Sequence, residues 1–579
     1  MKKDATIRST QLVGTFGVGA LVPVDDESVM IAGLDYWRID RADIFEPRLA
    51  KRLAVYGFAS PPASGKGGQD IPVARFPRLY VCSGDCRRLD VFEALSDRGR
   101  NRCTACQELI FPSRFVVVCS RGHIDDFPYH TWIHRQKVED PRRHRLTLGS
   151  LGTSASLRDV VAACSCGAQR SMDGAFLRSA FDGFLTCSGG RPWLGDREQC
   201  NAVPRTLQRG ASNVYFPVTA SAIVIPPWSE PLGVFVEEEW SRFEFIDDPV
   251  AIEAVARRLC EDESVPYDPK DVVEMVLRRK AGTEASSGEQ GNTLRYEEYR
   301  ALEAGRPEVD ADQEFVAVSG EGAGEVSRYF KSVMAVERLR EVRALISFTR
   351  LKPPIDVPRR LHAPLWQKPP KNRWLPAVQI AGEGLFFTLD EAAVAVWEQR
   401  DDVLRRLGKV SAGRAEKRVW SGSDDCPGVI HPRVVLIHTL AHAIINQWSI
   451  DCGYPTSSLR ERLYVSTDDM AEPMCGFLIY TASADSAGSL GGVVARAGVG
   501  LLRETVEGAI QRVSWCSSEP LCIESEPTGT DGLNLAACHA CVLLPEVSCE
   551  LQNVLLDRGL VIGTPEDPSM GFYSDRVRH

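Results

Sequence analysis

Residues 522–549 read CIESEPTGTDGLNLAACHACVLLPEVSC, and the four cysteines of this stretch decide how the last domain folds. Cys538 and Cys541 form a CxxC pair, which places two thiolates about 3.5–4 Å apart on one turn, as one edge of a tetrahedral zinc site. Cys522 and Cys549 lie on either side and are the predicted third and fourth ligands. Four thiolates fill the coordination sphere, so we expect a structural rather than a catalytic zinc ion. The alternative is four unrelated buried cysteines, but the close spacing favours zinc.

The composition is that of an ordinary globular protein, with 44% hydrophobic and 25% charged residues. A chain of 579 residues is too long for one hydrophobic core and predicts about four domains. No apolar run approaches the roughly 20 residues of a membrane span, and Met1–Thr6 lacks the apolar core of a signal peptide. We therefore expect a cytoplasmic protein in which the 18 cysteines are metal ligands rather than disulfides. The formal charge of -10 offers no overall attraction to nucleic acid, so DNA binding requires a local basic patch or a partner.

The strongest metal signal is the pattern Cys82-x3-Cys86-x16-Cys103-x2-Cys106. Two short-spaced pairs at this separation are typical of a zinc ribbon, so we expect all four cysteines to bind one zinc ion. Between the pairs lie five arginines, which either face phosphate or belong to a solvated loop: Arg87, Arg88, Arg98, Arg100 and Arg102.

A further set of four cysteines follows, with the pattern Cys164-x-Cys166-x20-Cys187-x12-Cys200. A CxC pair makes a poorer zinc knuckle than CxxC, but the set still predicts one more zinc ion.

Two neighbouring features have a weaker metal signal. Cys119 and His123 follow the apolar run Val116–Val118, which predicts a buried strand. No second short pair accompanies them, so we expect structural roles, with His123 hydrogen-bonded in a turn. The run 134–145 (HRQKVEDPRRHR) is the best local candidate for a phosphate-facing surface, although most such runs are only solvated.

No nucleotide-binding motif is found in the sequence. Gly14, Gly17 and Gly19 form GxxGxG, whereas the dinucleotide fingerprint needs GxGxxG. The acidic run 390–393 (DEAA) mimics the acidic box of helicases, but without a phosphate loop upstream it is interpreted as an Asp390 N-cap of a helix. We therefore do not expect the chain to act as a motor by itself.

The middle of the chain, after about residue 215, shows helical periodicity. Residues 251–277 are predicted to be helical with breaks at Pro266 and Pro269, and 281–292 (AGTEASSGEQGN) is predicted to be a mobile loop. In residues 331–346, apolar residues recur at helical spacing, which predicts an amphipathic helix.

The last domain begins around Cys426 in our prediction. Pro432 suits the first turn of a buried helix that carries His438 and His442 on one face. This spacing can chelate zinc, as in HExxH, but Thr439 replaces the catalytic Glu, so a pair of hydrogen-bonded core histidines is favoured. Residues 463–465 and 476–480 predict strands, and the glycine-rich turn 482–492 is a weak phosphate-binding signal.

Several short motifs occur together in the last domain: His438–His442, Arg460–Tyr464, Leu478–Thr481, Gly488–Gly492, Cys538–Cys549, Asn553 and Leu556–Arg558. In combination they resemble the terminal domain of MrfA-type DNA-repair helicases, which is a cysteine-ligated zinc module. A second group extends to the N-terminus: Ser9–Gln11, Phe16–Gly19, Gly33–Trp37, Cys119–Asp126 and Gly382–Gly384. With the last domain, these resemble the DrmB family of the DISARM anti-phage system. The resemblance implies a DrmA-like superfamily-two helicase as partner. Cys516 departs from the pattern, which leaves open whether Cys516 or Cys522 is the fourth ligand of the last site.

The predicted fold class is α+β and multidomain, with N-terminal zinc-ribbon-like modules, a central helical region and a C-terminal mixed α/β zinc-binding domain. The predicted boundaries are 1–110, 111–215, 216–350, 351–425 and 426–579.

Two functions from different classes are consistent with the sequence. The favoured one is a non-catalytic partner of a superfamily-two helicase in DISARM defence, which binds about three zinc ions, one per cysteine quartet, and helps the helicase engage DNA. The alternative is a metal-dependent enzyme that cleaves nucleic acid. Its divalent ion would be bound by His438, His442, Asp468, Asp469 and Asp485.

Overall fold

The computed structural model describes residues 6–39, 42–62, 70–136, 138–150, 156–229, 231–261, 265, 267–284, 291–309, 313–354, 357–412, 430–466, 473–481, 492–529 and 532–576. The chain forms two compact units, each built from three segments. The first unit contains residues up to Ile44, 56–220 and 343–378. The second contains 45–55, 221–342 and the residues from Gln379 onward. Helices and strands are mixed along the chain, which confirms the α+β fold class.

The strands, numbered in chain order, are β1 (Leu21–Val24), β2 (Glu27–Ile31), β3 (Gly57–Ala59), β4 (Val73–Arg75), β5 (Leu79–Cys82), β6 (Arg88–Val91), β7 (Ser96–Asp97), β8 (Arg100–Cys103), β9 (Ile110–Pro112), β10 (Phe115–Val118), β11 (Ile124–Asp126), β12 (Leu146–Ser150), β13 (Val160–Cys164), β14 (Gln169–Ser171), β15 (Gly190–Arg191), β16 (Asp196–Arg197), β17 (Arg205–Gln208), β18 (Phe216–Ile223), β19 (Val316–Ser319), β20 (Ser332–Thr349), β21 (Trp374–Thr388), β22 (Leu459–Val465) and β23 (Cys475–Thr481).

The helices are α1 (Ser9–Leu12), α2 (Pro47–Leu53), α3 (Phe92–Leu95), α4 (Tyr129–His134), α5 (Pro231–Glu238), α6 (Pro249–Leu259), α7 (Pro269–Glu284), α8 (Gly291–Ala304), α9 (Glu391–Glu398), α10 (Asp401–Ala412), α11 (Pro432–Asp451), α12 (Leu501–Val513) and α13 (Gly559–Ile562). None of these described helices combines the length and the apolar character that a membrane span requires.

The first unit is built on small antiparallel sheets. A six-stranded sheet has the order β14-β13-β12-β6-β5-β9, and a three-stranded sheet has the order β11-β10-β17. Both contribute to one core, in which Phe115, Phe127, Trp132 and Phe181 are buried. The ends of β5, β8, β10 and β13 lead into the cysteine-bearing turns, so the sheets position the thiols.

The second unit is organised around the buried helix α11. This helix packs on β22 and β23 and against α12, and β23 pairs antiparallel with β22 and with residues 384–388 of β21. Pro432 lies in its first turn, as predicted. The strands predicted at 463–465 and 476–480 are confirmed as parts of β22 and β23.

The amphipathic helix predicted at residues 331–346 is wrong, because this stretch is the long strand β20. Most residues of β20 are buried, and Arg340 and Glu341 are among them. The buried guanidinium of Arg340 lies 2.9 Å from a carboxylate oxygen of Glu314. Because Arg340 is paired inside the protein, its charge does not mark the solvent-facing side of a helix.

Other predictions concern the edges of elements. The Asp390 N-cap is confirmed, since its carboxylate accepts the N–H groups of Ala392 and Ala393. The break near Pro269 is confirmed as the gap between α6 and α7. Of the predicted loop 281–292, residues 281–284 belong to α7 and residues 291–292 to α8, and residues 285–290 lie outside the described residues. Cys426 and the turn residues 482–491 lie outside the described residues.

Candidate metal centres

The first centre brings together the four thiols predicted to form a zinc ribbon: Cys82, Cys86, Cys103 and Cys106. The Sγ atoms of Cys82 and Cys106 are 3.3 Å apart, and those of Cys86 and Cys103 are 3.7 Å apart. Backbone N–H groups point at two of the sulfurs from 3.4 Å, Gly84 at Cys82 and Ala105 at Cys103. Such N–H groups stabilise thiolates, so the arrangement suits a tetrahedral metal ion.

The second centre contains residues that the sequence did not group: Cys119, His123, Cys187 and Cys200. Antiparallel pairing of β10 with β11 closes a tight turn between them, which places Cys119 Sγ 3.4 Å from His123 Nδ1. Cys187 Sγ lies 3.7 Å from the same nitrogen, and Cys200 Sγ lies 4.0 Å from Cys119 Sγ. Three thiols and an imidazole are a donor set of structural zinc sites.

Charged side chains orient the second centre from outside. His123 Nε2 lies 2.8 Å from Glu198 Oε1, and the other oxygen of that carboxylate accepts a hydrogen bond from Arg191 at 2.9 Å. A carboxylate behind a metal-ligating histidine fixes the ring and raises its basicity. The buried guanidinium of Arg350 donates to the carbonyl oxygen of Gly122 at 2.9 Å and so holds the turn that carries His123.

The third centre combines two thiols with two imidazoles: His134, His144, Cys164 and Cys166. His144 Nδ1 lies 3.1 Å from Cys164 Sγ, and His134 Nε2 lies 4.0 Å from Cys166 Sγ. His134 ends α4, and His144 precedes β12, whose pairing with β13 brings it beside Cys164. The basic run 134–145, predicted to face phosphate, therefore contributes two candidate metal ligands.

The sequence predicted that Cys164, Cys166, Cys187 and Cys200 form one group. The structure does not bring these four residues together. It divides them between the third and the second centres. Linear spacing suggested a quartet, but the sheet pairings give each pair of cysteines a histidine-containing set of neighbours. His134 and His144 lie at least 20 residues before the CxC pair, so no short spacing in the sequence connected them with it.

The fourth centre contains the CxxC pair of the last domain with both disputed cysteines: Cys516, Cys522, Cys538 and Cys541. Sulfur–sulfur distances are 3.5 Å between Cys516 and Cys538 and 3.8 Å between Cys522 and Cys541. The structure thus places Cys516 and Cys522 together beside the pair. It does not place Cys549 there, because this thiol lies in another cluster.

The thiols within a centre differ in acidity. Burial raises the pKa of Cys103, but the N–H groups of Ala105 and Cys106 outweigh it and lower the pKa to about 7. In the fourth centre, burial is likewise outweighed at Cys538, where the N–H of Ala540 and the Cys516 thiol lower the pKa to about 7. Burial raises the pKa of Cys541 to about 12. Cys103 and Cys538 therefore each supply a thiolate near neutral pH, whereas a metal ion must displace the proton of Cys541.

The histidine cluster is a fifth group of ligand-type side chains: His438, His442, Glu461 and Cys549. His438 Nε2 lies 3.2 Å from Cys549 Sγ and 3.1 Å from Glu461 Oε1. His442 Nε2 lies 3.5 Å from Glu461 Oε2. Both histidines are buried and face backbone carbonyl oxygens, so the predicted burial and hydrogen bonding of this pair are confirmed. Glu461 was missed because it lies inside a strand without a short-range partner, and Cys549 because it was assigned to the neighbouring zinc site.

The electrostatics of the histidine cluster favour a charged carboxylate. Burial raises the pKa of Glu461, but interaction with His438 and His442, when those rings are protonated, outweighs burial and lowers the pKa overall. Burial lowers the pKa of His442 in spite of the nearby carboxylate. Of the residues proposed for a nuclease site, the two histidines converge, whereas Asp468, Asp469 and Asp485 lie outside the described residues.

Comparison with known proteins relates both parts of the chain to existing families. Residues 8–216 match a domain of unknown function, DUF8724, and residues 440–542 match the MrfA Zn-binding domain. The chain is 30% identical to the DISARM protein DrmB of Bacillus paralicheniformis, over 95% of this chain and 99% of that protein.

The chain belongs to the DrmB family. The predicted resemblance is thereby confirmed, and the match to a zinc-binding domain includes every thiol of the fourth centre. The first three centres lie within the DrmB region that matches the domain of unknown function.

Proposed function

We propose that this chain is a non-catalytic, zinc-bound partner of a superfamily-two DNA helicase in DISARM defence, and that it acts in the cytoplasm. The observation that carries the proposal is the likeness to a DISARM DrmB protein over nearly the whole chain, combined with a zinc-binding domain of the MrfA type. The sequence supports it further, because it contains no phosphate-binding loop and ATP hydrolysis would belong to the partner.

In this proposal the four centres hold four zinc ions, one more than the sequence predicted. Each centre offers four Cys or His ligands from the protein, which fill a tetrahedral sphere and leave no position for a reacting water. Zinc bound in this way contributes its binding energy to folding. The metal therefore has an architectural role, and the chain scaffolds the helicase.

The β7–β8 hairpin is the proposed DNA-contacting element. Arg98 and Gly99 form its turn, both at positive φ (52° and 76°), which suits a two-residue hairpin. Arg98, Arg100 and Arg102 are exposed on this hairpin, and the first centre anchors its end at Cys103. Arginines held on a rigid element can contact phosphates without reading sequence.

The partnership is tested with the full chain and the helicase of the same defence system. We expect the two proteins to co-elute in size-exclusion chromatography and the chain to change the rate of DNA-stimulated ATP hydrolysis by the helicase. Separate elution together with an unchanged rate would refute the partnership.

DNA engagement is tested with the triple variant Arg98→Gln, Arg100→Gln, Arg102→Gln. Loss of three phosphate contacts should reduce the slope of log affinity against log salt by about 2.7, at about 0.9 per contact on duplex DNA. The charge-matched control replaces three exposed arginines elsewhere, Arg242, Arg257 and Arg258, by Gln. Equal slopes for the two triple variants would remove the hairpin from the proposal.

A further inference from the structure

We propose that the histidine cluster holds a divalent transition metal ion, zinc on the basis of its donor set, at a site separate from the fourth centre. One donor atom from each of the four residues lies within 4.8 Å of the others. The short distances to Cys549 Sγ and the Glu461 carboxylate involve Nε2 of both histidines. Imidazole, carboxylate and thiolate are all zinc ligands, and four of them complete a tetrahedral sphere.

Hydrogen bonds fix which nitrogen of each histidine is free to bind. His438 Nδ1 faces the carbonyl oxygen of Leu555 at 3.3 Å, and His442 Nδ1 faces that of Val542 at 2.7 Å. A carbonyl oxygen only accepts, so each Nδ1 carries a proton and each neutral ring presents the Nε2 lone pair. Both lone pairs then point to the place where the Glu461 carboxylate and the Cys549 sulfur also lie.

The cluster contains acceptors that the protein itself does not satisfy. Among the described residues, His442 Nε2 and Glu461 Oε2 have no hydrogen-bond partner, although both atoms are buried. Buried polar atoms without a partner are rare in native proteins, and each one requires an explanation. A cation at the shared position accounts for both atoms at once.

Charge balance also favours a dication. A carboxylate, a thiolate and two neutral imidazoles carry two negative charges, which a divalent ion neutralises. The four side chains are buried, and a site without net charge avoids most of the cost of placing ions away from water. The competing arrangement is an ion pair, in which a second proton on one histidine donates to Glu461 and no metal binds.

The site would connect three separate segments of the second unit. His438 and His442 lie on α11, Glu461 lies on β22, and Cys549 lies 111 residues after His438. It also adjoins the fourth centre, because His442 bonds Val542 and Asn446 donates to the carbonyl oxygen of Cys541. Four protein ligands leave no open position, so the ion would be structural.

Metal content of the purified full chain, measured by inductively coupled plasma mass spectrometry, tests the site. We expect His442→Ala and Cys549→Ala each to lower the content by about one ion per chain, because each removes one of four ligands. The control is His539→Ala, an exposed histidine of the CxxC turn, which should leave the content unchanged. Folded cluster variants with unchanged metal content would establish the ion pair and overturn the proposal.

Because a variant at a buried position can fail to fold, the unaltered protein supplies the second measurement. Anomalous diffraction recorded on both sides of the zinc absorption edge should give a peak between His438 Nε2, His442 Nε2 and Cys549 Sγ. Peaks at the other centres without one at this position would overturn the proposal, whatever the variants do.

Discussion

The first centre and the histidine cluster each gather four ligand-type side chains, but over different lengths of chain. In the first centre Cys82 and Cys106, its outermost ligands, are 24 residues apart and the thiols lie in turns of neighbouring short strands. In the histidine cluster His438 and Cys549 are 111 residues apart, and the ligands come from a helix, a strand and a later segment. A metal ion in the first centre therefore shapes a hairpin, whereas one in the histidine cluster fixes how distant segments pack.

The ligand-type side chains of the first centre are also more exposed to solvent than those of the histidine cluster. Cys106 is exposed, whereas His438 and His442 are 0% exposed. The loss of a metal ion should therefore have local consequences in the first centre and much wider ones around α11.

The largest effect is expected for Cys541→Ser in the fourth centre, which adjoins the histidine cluster. Structural zinc contributes about 10–16 kcal/mol in small zinc modules, as much as the whole stability of a typical domain. We expect loss of this zinc ion and unfolding of the region around α11, visible as rapid proteolysis and loss of the main thermal transition. Cys260→Ser, at a half-buried thiol outside the five groups, is the control. A protease-resistant Cys541→Ser protein would show that the fourth centre is not structural.

A smaller and local effect is expected for Cys106→Ser in the first centre. The variant should lose one zinc ion and the protection of amides in β7 and β8. The buried aromatic core around Phe127 and Trp132 should keep its protection, since it packs without this centre. Hydrogen exchange read by mass spectrometry measures both regions, and loss of protection across α4 would contradict the local role.

The zinc affinity of the fourth centre should rise steeply with pH. Burial raises the pKa of Cys541 to about 12 and also raises the pKa of Cys522, so both thiols are protonated at pH 7 and pH 8 in the metal-free state. Zinc binding must release these two protons, which lowers the apparent Kd about 100-fold for each pH unit gained. Chelator competition at the two pH values measures the slope. A pH-independent Kd would mean that these thiols are not ligands.

The smallest effect is expected for Glu198→Gln, which weakens the hydrogen bond behind His123 in the second centre. Loss of a carboxylate partner of a histidine ligand typically costs about 10–100-fold in metal affinity. Competition with a chelator should show this loss, and Glu93→Gln, at an exposed carboxylate, should show none. Equal metal affinities of the Glu198→Gln variant and the unaltered chain would show that Glu198 does not support the metal site.

Local sequence patterns predicted those features of the fold that depend on residues close together in the chain. The first centre follows from two short spacings, and α11 follows from an apolar run that begins at a proline. Both depend on residues that lie close together in the sequence, so a local sequence pattern is enough to predict them.

The rest depends on pairings between distant segments. His144 contacts Cys164 only because β12 pairs with β13. Tertiary packing places Cys549 beside His438 rather than beside the CxxC pair. Strand β20 was mistaken for a helix because its buried Arg340 pairs with Glu237 and Glu314, which lie on other segments. The spacing of residues along the chain does not reveal partners that are distant in sequence.

The most direct test of metal binding at all five groups is the total metal content of the unaltered, untagged full chain. Four zinc centres and the histidine cluster predict about five ions per chain by inductively coupled plasma mass spectrometry. A folded preparation with three ions or fewer would contradict zinc binding at all four centres. One with four ions and no anomalous peak at His438 and Cys549 would contradict a metal ion in the histidine cluster.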